Sequence, residues 1–121
     1  MIQDTKVRAA ITAIEAYLPE YILTNEELSH MVDTSDEWIM TRVGIKERRI
    51  LKEPVGMSFM AIKAVKTLLE KNNIEPSDID GIICSTVTPD MVFPSTAAII
   101  SDACGIKNGI SFDMQVGCAG F

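Results

Sequence analysis

The sequence has 121 residues, of which 47% are hydrophobic and 23% charged, and its formal net charge is −6. This length suits one ordinary domain, and this apolar content is enough for a packed core, which excludes a disordered chain. The acidic balance argues against nucleic-acid binding, which needs clustered Lys and Arg. No apolar run approaches the ~20 residues that span a bilayer, and no signal-peptide pattern opens the sequence. We therefore expect a cytoplasmic protein.

In chain order, the predicted elements begin with a strand over residues 7–17, which are rich in small and β-branched side chains. The sequence LPE at residues 18–20 ends it. Thr24 and Glu27 then form a capping box, which predicts a short helix to about Val32.

Two further helices are predicted in the middle of the chain. The sequence TSDE at residues 34–37 repeats the capping pattern and predicts a helix to Val43, which Gly44 would end in the left-handed conformation. The next helix has one apolar face and is ended by the asparagines of residues 72–73. That apolar face consists of Met57, Met60, Ala61, Ala64, Val65, Leu68 and Leu69.

The second half of the chain alternates strand, helix and strand. Residues 82–87 are a short apolar run typical of a buried strand, and residues 110–114 form a second strand after an Asn-Gly turn. Between them, Ser95 can cap a helix that runs through Cys104 and closes at Gly105. This alternation predicts an α/β fold with a mostly parallel sheet covered by helices. Because no crossover helix follows the last strand, we expect the chain to be incomplete at its C-terminus.

The candidate nucleophile is Cys118, which lies just past the last predicted strand and is flanked by Gly117 and Gly120. Small neighbours permit a sharp strand-to-helix turn, and a helix beginning there would lower the pKa of the thiol. Taken alone, this local pattern favours a small buried side chain, as most free cysteines are. Cys84, inside an apolar strand, and Cys104, at a helix end, are expected to serve only packing. No CxxC pair indicates a zinc site.

Longer motifs reveal a resemblance to a known family. Residues 33–45 read DTSDEWIMTRVGI, and the chain ends in CAGF at residues 118–121. Further matching segments, in the same order, are residues 17–20, 93–95 and 105–107. Together they resemble β-ketoacyl-acyl carrier protein synthase III, the initiating condensing enzyme of type II fatty acid synthesis. The resemblance implies the thiolase-like layered fold, with residues 1–121 supplying only the first part of its N-terminal half.

The same resemblance implies the chemistry of Cys118. Its thiolate would take the acyl group from acyl-CoA, after which malonyl-acyl carrier protein would lose carbon dioxide and attack the held acyl group. The family also needs a His and an Asn, which would lie beyond Phe121, so residues 1–121 alone are expected to be inactive. His30 is not that histidine and is expected at the surface. No metal or cofactor is implied, since acyl-CoA is a substrate.

The resemblance also implies binding roles for four residues. Trp38 would stack on the adenine of CoA, Arg42 would meet the charged end of the nucleotide, and Thr34 would hydrogen-bond the base. Phe93 would reach across a homodimer to line the acyl pocket. Each has a simpler alternative: Trp38 could pack on the domain, Arg42 could be a helix-end cation, and Phe93 could anchor its loop.

Some positions depart from the family pattern, and other functions stay open. Ala13 and Glu15 occupy positions where the family usually has glycine, and Val116 and Gly117 replace a common Ala-Ala pair. These changes leave the starter acyl group and chain-length preference undetermined. The alternatives are another thiolase-fold condensing enzyme, of secondary metabolism or of the hydroxymethylglutaryl-CoA synthase type, and a non-catalytic interaction module.

Overall fold

The computed structural model describes residues 9–120, which form two compact units. The smaller unit comprises residues 17–55, and the larger comprises residues 9–16 with 56–120. Among these described residues, no helix has both the length and the apolar character needed to cross a membrane.

The smaller unit contains two short antiparallel strands, β1 (Tyr21–Thr24) and β2 (Glu47–Ile50). Their register places Tyr21 opposite Ile50. The sequence predicts neither strand, because β2 reads ERRI and lacks the alternation of apolar and polar residues that marks a half-buried strand. This pair is therefore defined by its ladder hydrogen bonds and not by a hydrophobic pattern.

The first predicted helix, α1 (Asn25–Ser29), lies between the two strands. Thr24 is its N-cap as predicted, because the Thr24 hydroxyl accepts a hydrogen bond from the amide of Glu27 at 3.1 Å. The helix ends at Ser29, earlier than the expected Val32. His30 follows it and is exposed, as expected.

The second helix, α2 (Asp36–Val43), begins one residue later than the capping pattern predicts. Its N-cap is Ser35, whose hydroxyl accepts from the amide of Trp38 at 3.1 Å, and the assignment of Thr34 as the cap is wrong. A capping box from Ser35 would need Glu or Gln at the position that Trp38 holds, so the reciprocal side-chain bond is absent by sequence. Gly44 ends the helix at φ 70°, as predicted.

The larger unit contains a parallel strand pair and two helices. Its elements are α3 (Met57–Asn72), β3 (Gly81–Ser85), α4 (Thr96–Ala103) and β4 (Ile110–Met114). Gly81 lies opposite Ile110 and Ser85 lies opposite Met114, so β3 and β4 run parallel and α4 makes the crossover. This confirms the predicted strand–helix–strand unit, although β3 ends before the expected residue 87.

The core of the larger unit lies between α4, α3 and one face of the strand pair. Its buried side chains are Cys84, Ala97, Ile100, Cys104 and Ile106, against which Met57, Ala61, Ile62, Val65, Ile79 and Ile82 pack. The α3 members of this set come from the face predicted to be apolar, except Ile62. On the opposite side of α3, Lys63, Lys66, Glu70 and Lys71 are exposed. The helical period read from the sequence therefore gives the correct orientation of α3.

The strand predicted over residues 7–17 is wrong in its described part, because residues 9–17 form no strand. Residues 7 and 8 lie outside the described residues. Burial alternates along this segment, with Glu15 half-buried and Ile14 84% exposed, which is typical of an extended chain. A strand also needs a hydrogen-bonded neighbour, and the sheets formed by residues 9–120 contain only β1 with β2 and β3 with β4.

The carboxylate of Asp113 in β4 caps the start of α4. Its two oxygens accept from the amides of Thr96 at 2.7 Å and Ala97 at 2.8 Å, while the Ser95 hydroxyl accepts from Ala98 at 3.2 Å. These bonds satisfy amides that the first helical turn leaves unpaired. Burial by itself would raise the pKa of Asp113, but the hydrogen bonds from Ala97 and Thr96 outweigh it and hold the pKa below its usual value.

We expect Asp113→Asn to lower the free energy of unfolding by about 0.5–2 kcal/mol at neutral pH, the range for loss of a helix cap. Because the folded-state pKa is depressed, Asp113 stabilises the protein above its unfolded pKa of ~3.9, and this stabilisation is lost as pH falls through the folded pKa. The melting temperature, measured from about pH 7 downward, should therefore fall less steeply with decreasing pH in the variant. Asp102→Asn, at an exposed site on α4, is the matched control. The same pH dependence of the melting temperature in Asp113→Asn and in the original protein would contradict the stabilising role of Asp113.

Candidate active site

Cys118 lies on a short turn just beyond the end of β4. Residues Gly117–Gly120 form a single turn of 3-10 helix, and Gly117 enters it at φ 57°, a left-handed conformation that favours glycine. The thiol-bearing residue is exposed. The four residues of this turn align too few peptide units for a substantial dipole.

The turn that carries Cys118 is seated against the end of β3. A Cβ atom added to Gly120 would lie 1.9 Å from the hydroxyl oxygen of Ser85 and 3.1 Å from Val116 Cγ2, so this position has no room for a side chain without rearrangement. The amide of Thr86 donates to the carbonyl oxygen of Met114 at 3.1 Å. Cys118 therefore follows the carboxyl end of a parallel strand pair, the edge at which open α/β sheets bind ligands.

The other two cysteines are in a different environment. Cys84 and Cys104 are each 7% exposed and belong to the hydrophobic core, as expected from their places in a strand and a helix end. Burial raises the pKa of Cys84, and the carboxylates of Asp113 and Asp90 raise it further. Burial also raises the pKa of Cys104, against a smaller opposing effect of Lys66. Neither side chain is suited to form a thiolate.

Phe93 lies in the loop between β3 and α4 and is 86% exposed. Its neighbour Val92 is fully exposed, at 100%. Asp90, in the same loop, attaches it to the start of α3, because the Asp90 carboxylate accepts a hydrogen bond from the amide of Ser58 at 3.1 Å. A Cβ atom at Gly56 would lie 2.2 Å from the Asp90 carboxyl carbon, so glycine at this N-cap admits the carboxylate. Sequence reasoning missed Asp90, because its partner is distant in the chain.

Trp38 and Arg42 form an exposed pair on α2. The Trp38 side chain is 58% exposed, and the Arg42 guanidinium lies 5.9 Å from the centre of its ring, within the range of a cation–π contact. Trp38 borders two shallow clefts of about 370 Å³ and 340 Å³. Thr34, half-buried, lines the first cleft with Asp33 and Ser35, and Arg42 lines the second with Ser35, Glu37 and Thr41. The structure thus brings Thr34, Trp38 and Arg42 together within the smaller unit, whereas Cys118 and Phe93 belong to the larger unit.

Comparisons with known proteins identify the relatives of this chain. It is 56% identical over 117 residues to the β-ketoacyl-[acyl-carrier-protein] synthase III of Phocaeicola vulgatus, a match that covers 96% of this chain and 35% of that protein. No protein-family model matches the sequence. The chain thus spans about one third of the length of the curated relatives it matches.

Solved structures share the fold. The 3-oxoacyl-[acyl-carrier-protein] synthase III of Aquifex aeolicus superposes with a TM-score of 0.82 and 46% identity, covering 89% of this chain and 35% of that one. The priming β-ketosynthase of the R1128 polyketide biosynthetic pathway gives a TM-score of 0.83 and 32% identity, covering 89% and 32%. These similarities confirm the predicted α/β, thiolase-like fold.

The burial pattern predicts that one thiol of the native 121-residue chain reacts rapidly. Iodoacetamide at neutral pH should label Cys118 first, while Cys84 and Cys104 should react only on unfolding, because they are buried and their pKa values are raised. Peptide mass mapping before and after addition of denaturant would follow the three sites. Cys118→Ala is the control, and rapid native labelling of Cys84 or Cys104 would contradict the described core.

Proposed function

We propose that this chain, which is related to the β-ketoacyl-[acyl-carrier-protein] synthase III enzymes over 96% of its length, is part of such an initiating condensing enzyme. The observation that carries the proposal is the exposed Cys118 thiol on a glycine-flanked turn at the carboxyl end of a parallel strand pair. A nucleophile in that position can reach a substrate, whereas Cys84 and Cys104 are shielded in the core.

In the proposed reaction, the Cys118 thiolate attacks the thioester carbonyl of acyl-CoA. A new carbon–sulfur bond forms, and the thiolate of CoA leaves with the electron pair of the broken bond. Malonyl-acyl carrier protein then loses carbon dioxide, and its carbanion attacks the acyl carbonyl, which returns the Cys118 thiolate. Sulfur suits both steps because a thiolate is a good nucleophile and a good leaving group. The His and Asn that polarise the malonyl thioester would come from beyond Phe121, and the reaction needs no cofactor.

The nucleotide end of acyl-CoA would bind on α2. Trp38 offers an exposed indole face between two clefts, which suits stacking on adenine. Arg42 beside it provides a planar cation for a phosphate group. The Thr34 hydroxyl, at the edge of one cleft, can hydrogen-bond the base. Aromatic stacking, charge and a hydroxyl donor thus meet on one surface.

Further parts of the proposal concern the complete enzyme. Residues 1–121 would be the first part of the N-terminal half and inactive alone, and the whole enzyme would be a cytoplasmic homodimer. Phe93 would supply the dimer contact, since its exposed ring and the exposed Val92 form an apolar loop tip that can enter a partner's acyl pocket. A native gene product near 13.3 kDa would instead favour an interaction module.

The second candidate function is a priming condensing enzyme of secondary metabolism. It is favoured by the 32% identity and TM-score of 0.83 to the R1128 priming β-ketosynthase. Both candidates use a cysteine that accepts an acyl group, so they differ in the starter group and the carrier protein. A hydroxymethylglutaryl-CoA synthase type of enzyme would share the cysteine but not the use of malonyl-acyl carrier protein.

The proposal predicts that Cys118 becomes acylated in the full-length enzyme. Incubation with acyl-CoA and peptide mass mapping should place one acyl group on Cys118, and Cys118→Ala should reduce condensation by at least about 10³-fold, as expected for loss of a nucleophile. Cys84→Ala and Cys104→Ala are the matched controls. An acyl group on another cysteine, or retained condensation in Cys118→Ala, would refute the assignment.

The CoA site predicts a second set of losses. Trp38→Ala or Arg42→Ala should weaken acyl-CoA binding by about 5- to 150-fold, because a stacked aromatic or a charged contact contributes roughly 1–3 kcal/mol. Isothermal titration with acyl-CoA on the full-length enzyme would measure this. Lys66→Ala removes an exposed cation from α3 and is the control. Unchanged affinity for acyl-CoA in both α2 variants, with intact folding, would refute the proposed CoA site.

A further inference from the structure

Asn25 is an almost fully buried polar residue in the smaller unit, only 2% exposed. Its amide group connects three separate segments. Nδ2 donates to Asp36 Oδ1 at 2.7 Å and to the carbonyl oxygen of Ile45 at 2.8 Å, and Oδ1 accepts from Arg48 Nη1 at 2.5 Å. Such a buried group is costly to place unless each of its bonds is made.

The chemistry of its partners fixes the orientation of the Asn25 amide. The two groups facing Nδ2, a carboxylate and a carbonyl, can only accept, and the guanidinium facing Oδ1 can only donate. A flipped amide would oppose donor to donor and acceptor to acceptor. Asp at this position would lose both donated bonds, and Leu or Ala would lose all three, so asparagine alone of these side chains meets the requirement.

These bonds hold α2 at both ends. Asp36 is the first residue of α2, and Ile45 follows Gly44, which ends it. Arg48 adds a bond to β2. The helix itself buries only Ile39, so packing contributes little to fixing its rotation about its own axis. The Asn25 amide therefore fixes the rotation of α2, which the packing of Ile39 alone does not.

The helix held in this way carries the two exposed residues of the candidate CoA site. Trp38 and Arg42 lie on α2 between the two points that Asn25 fixes. Neither is buried, so neither is held by the core. Their shared surface depends on the rotation and axial position of α2, and a displacement of about 1 Å can cost up to ~10²-fold in a positioned site.

We propose that Asn25 is a positioning residue for acyl-CoA binding: it fixes α2 so that Trp38 and Arg42 face one nucleotide. This inference rests on the proposed function of α2. Asn25 itself does not touch the substrate, and its effect passes through the bonds to Asp36 and Ile45. The consequence is a loss of affinity for acyl-CoA that is separate from the chemistry at Cys118.

The test uses the full-length enzyme and separates KM from kcat. Asn25→Asp removes both donated bonds and sets a second carboxylate beside Asp36, so KM for acyl-CoA should rise about tenfold, while kcat at saturating acyl-CoA should stay within about twofold because Cys118 is untouched. The double variant Asn25→Asp/Asp36→Asn restores the bond at residue 36 with donor and acceptor exchanged, but not the bond to the Ile45 carbonyl oxygen, so it should recover part of the lost affinity.

A variant that perturbs only the fold provides the control. Ser101 is a buried serine of the larger unit, and its hydroxyl donates to the carbonyl oxygen of Ile106 at 2.7 Å. Ser101→Ala should lower the melting temperature but leave KM for acyl-CoA unchanged. An equal rise of KM in Ser101→Ala and Asn25→Asp would show a general stability effect and overturn the inference.

Two further variants keep the outcome decisive. If Asn25→Asp does not fold, Asp36→Ala removes the acceptor at the start of α2 through a substitution at an exposed residue. KM for acyl-CoA should then rise about threefold or more. Unchanged KM in Asp36→Ala would then overturn the inference. Trp38→Ala distinguishes the levels of failure: unchanged KM there rejects the CoA site itself, whereas a raised KM there with unchanged KM in Asn25→Asp rejects only the positioning role.

Discussion

The larger unit depends on the pairing of the Asp113 carboxylate with the first turn of α4. The bond pair from Thr96 and Ala97 attaches the helix to the strand that lies beneath it, and the crossover connection then sets β3 and β4 parallel with their carboxyl ends together. The segment that leads to Cys118 leaves β4 at this edge, and the loop that carries Phe93 joins α4 at the same edge. One half-buried carboxylate thus places the turn that carries Cys118 and the loop that carries Phe93 at the same edge of the strand pair.

The strand pair has an apolar face that these residues leave uncovered. Cys84 and Ile82 face the helices, whereas Ile83, Ile110 and Phe112 on the other face are 60%, 69% and 43% exposed. Strands with apolar residues on both faces are typical of parallel sheets buried on both sides, and a two-stranded sheet is marginally stable by itself. This pattern is consistent with the proposal that the chain is part of a longer enzyme, of which the matched relatives are examples.

The sequence predicts the elements whose signals are local and misses those that depend on distant partners. The apolar period of α3 and the capping serine and glycine around α4 are local, and the structure confirms both helices. The strand pair β1 and β2 was missed because the charged sequence ERRI forms a strand only through pairing. Residues 9–17 show the converse, since strand-forming side chains there find no hydrogen-bonded neighbour.

The same distinction applies to the candidate sites. The Cys118 and DTSDEW motifs could be located in the sequence, but Asp90, Asp113 and Asn25 could not, because each acts on an amide or side chain far along the chain. For Trp38 and Phe93, which are 58% and 86% exposed, exposure weighs against the packing alternatives that the sequence left open. Arg42 differs, because a cation in the last turn of α2 both stabilises the helix end and lies beside the Trp38 ring. A stabilising role and a binding role are therefore compatible at that residue.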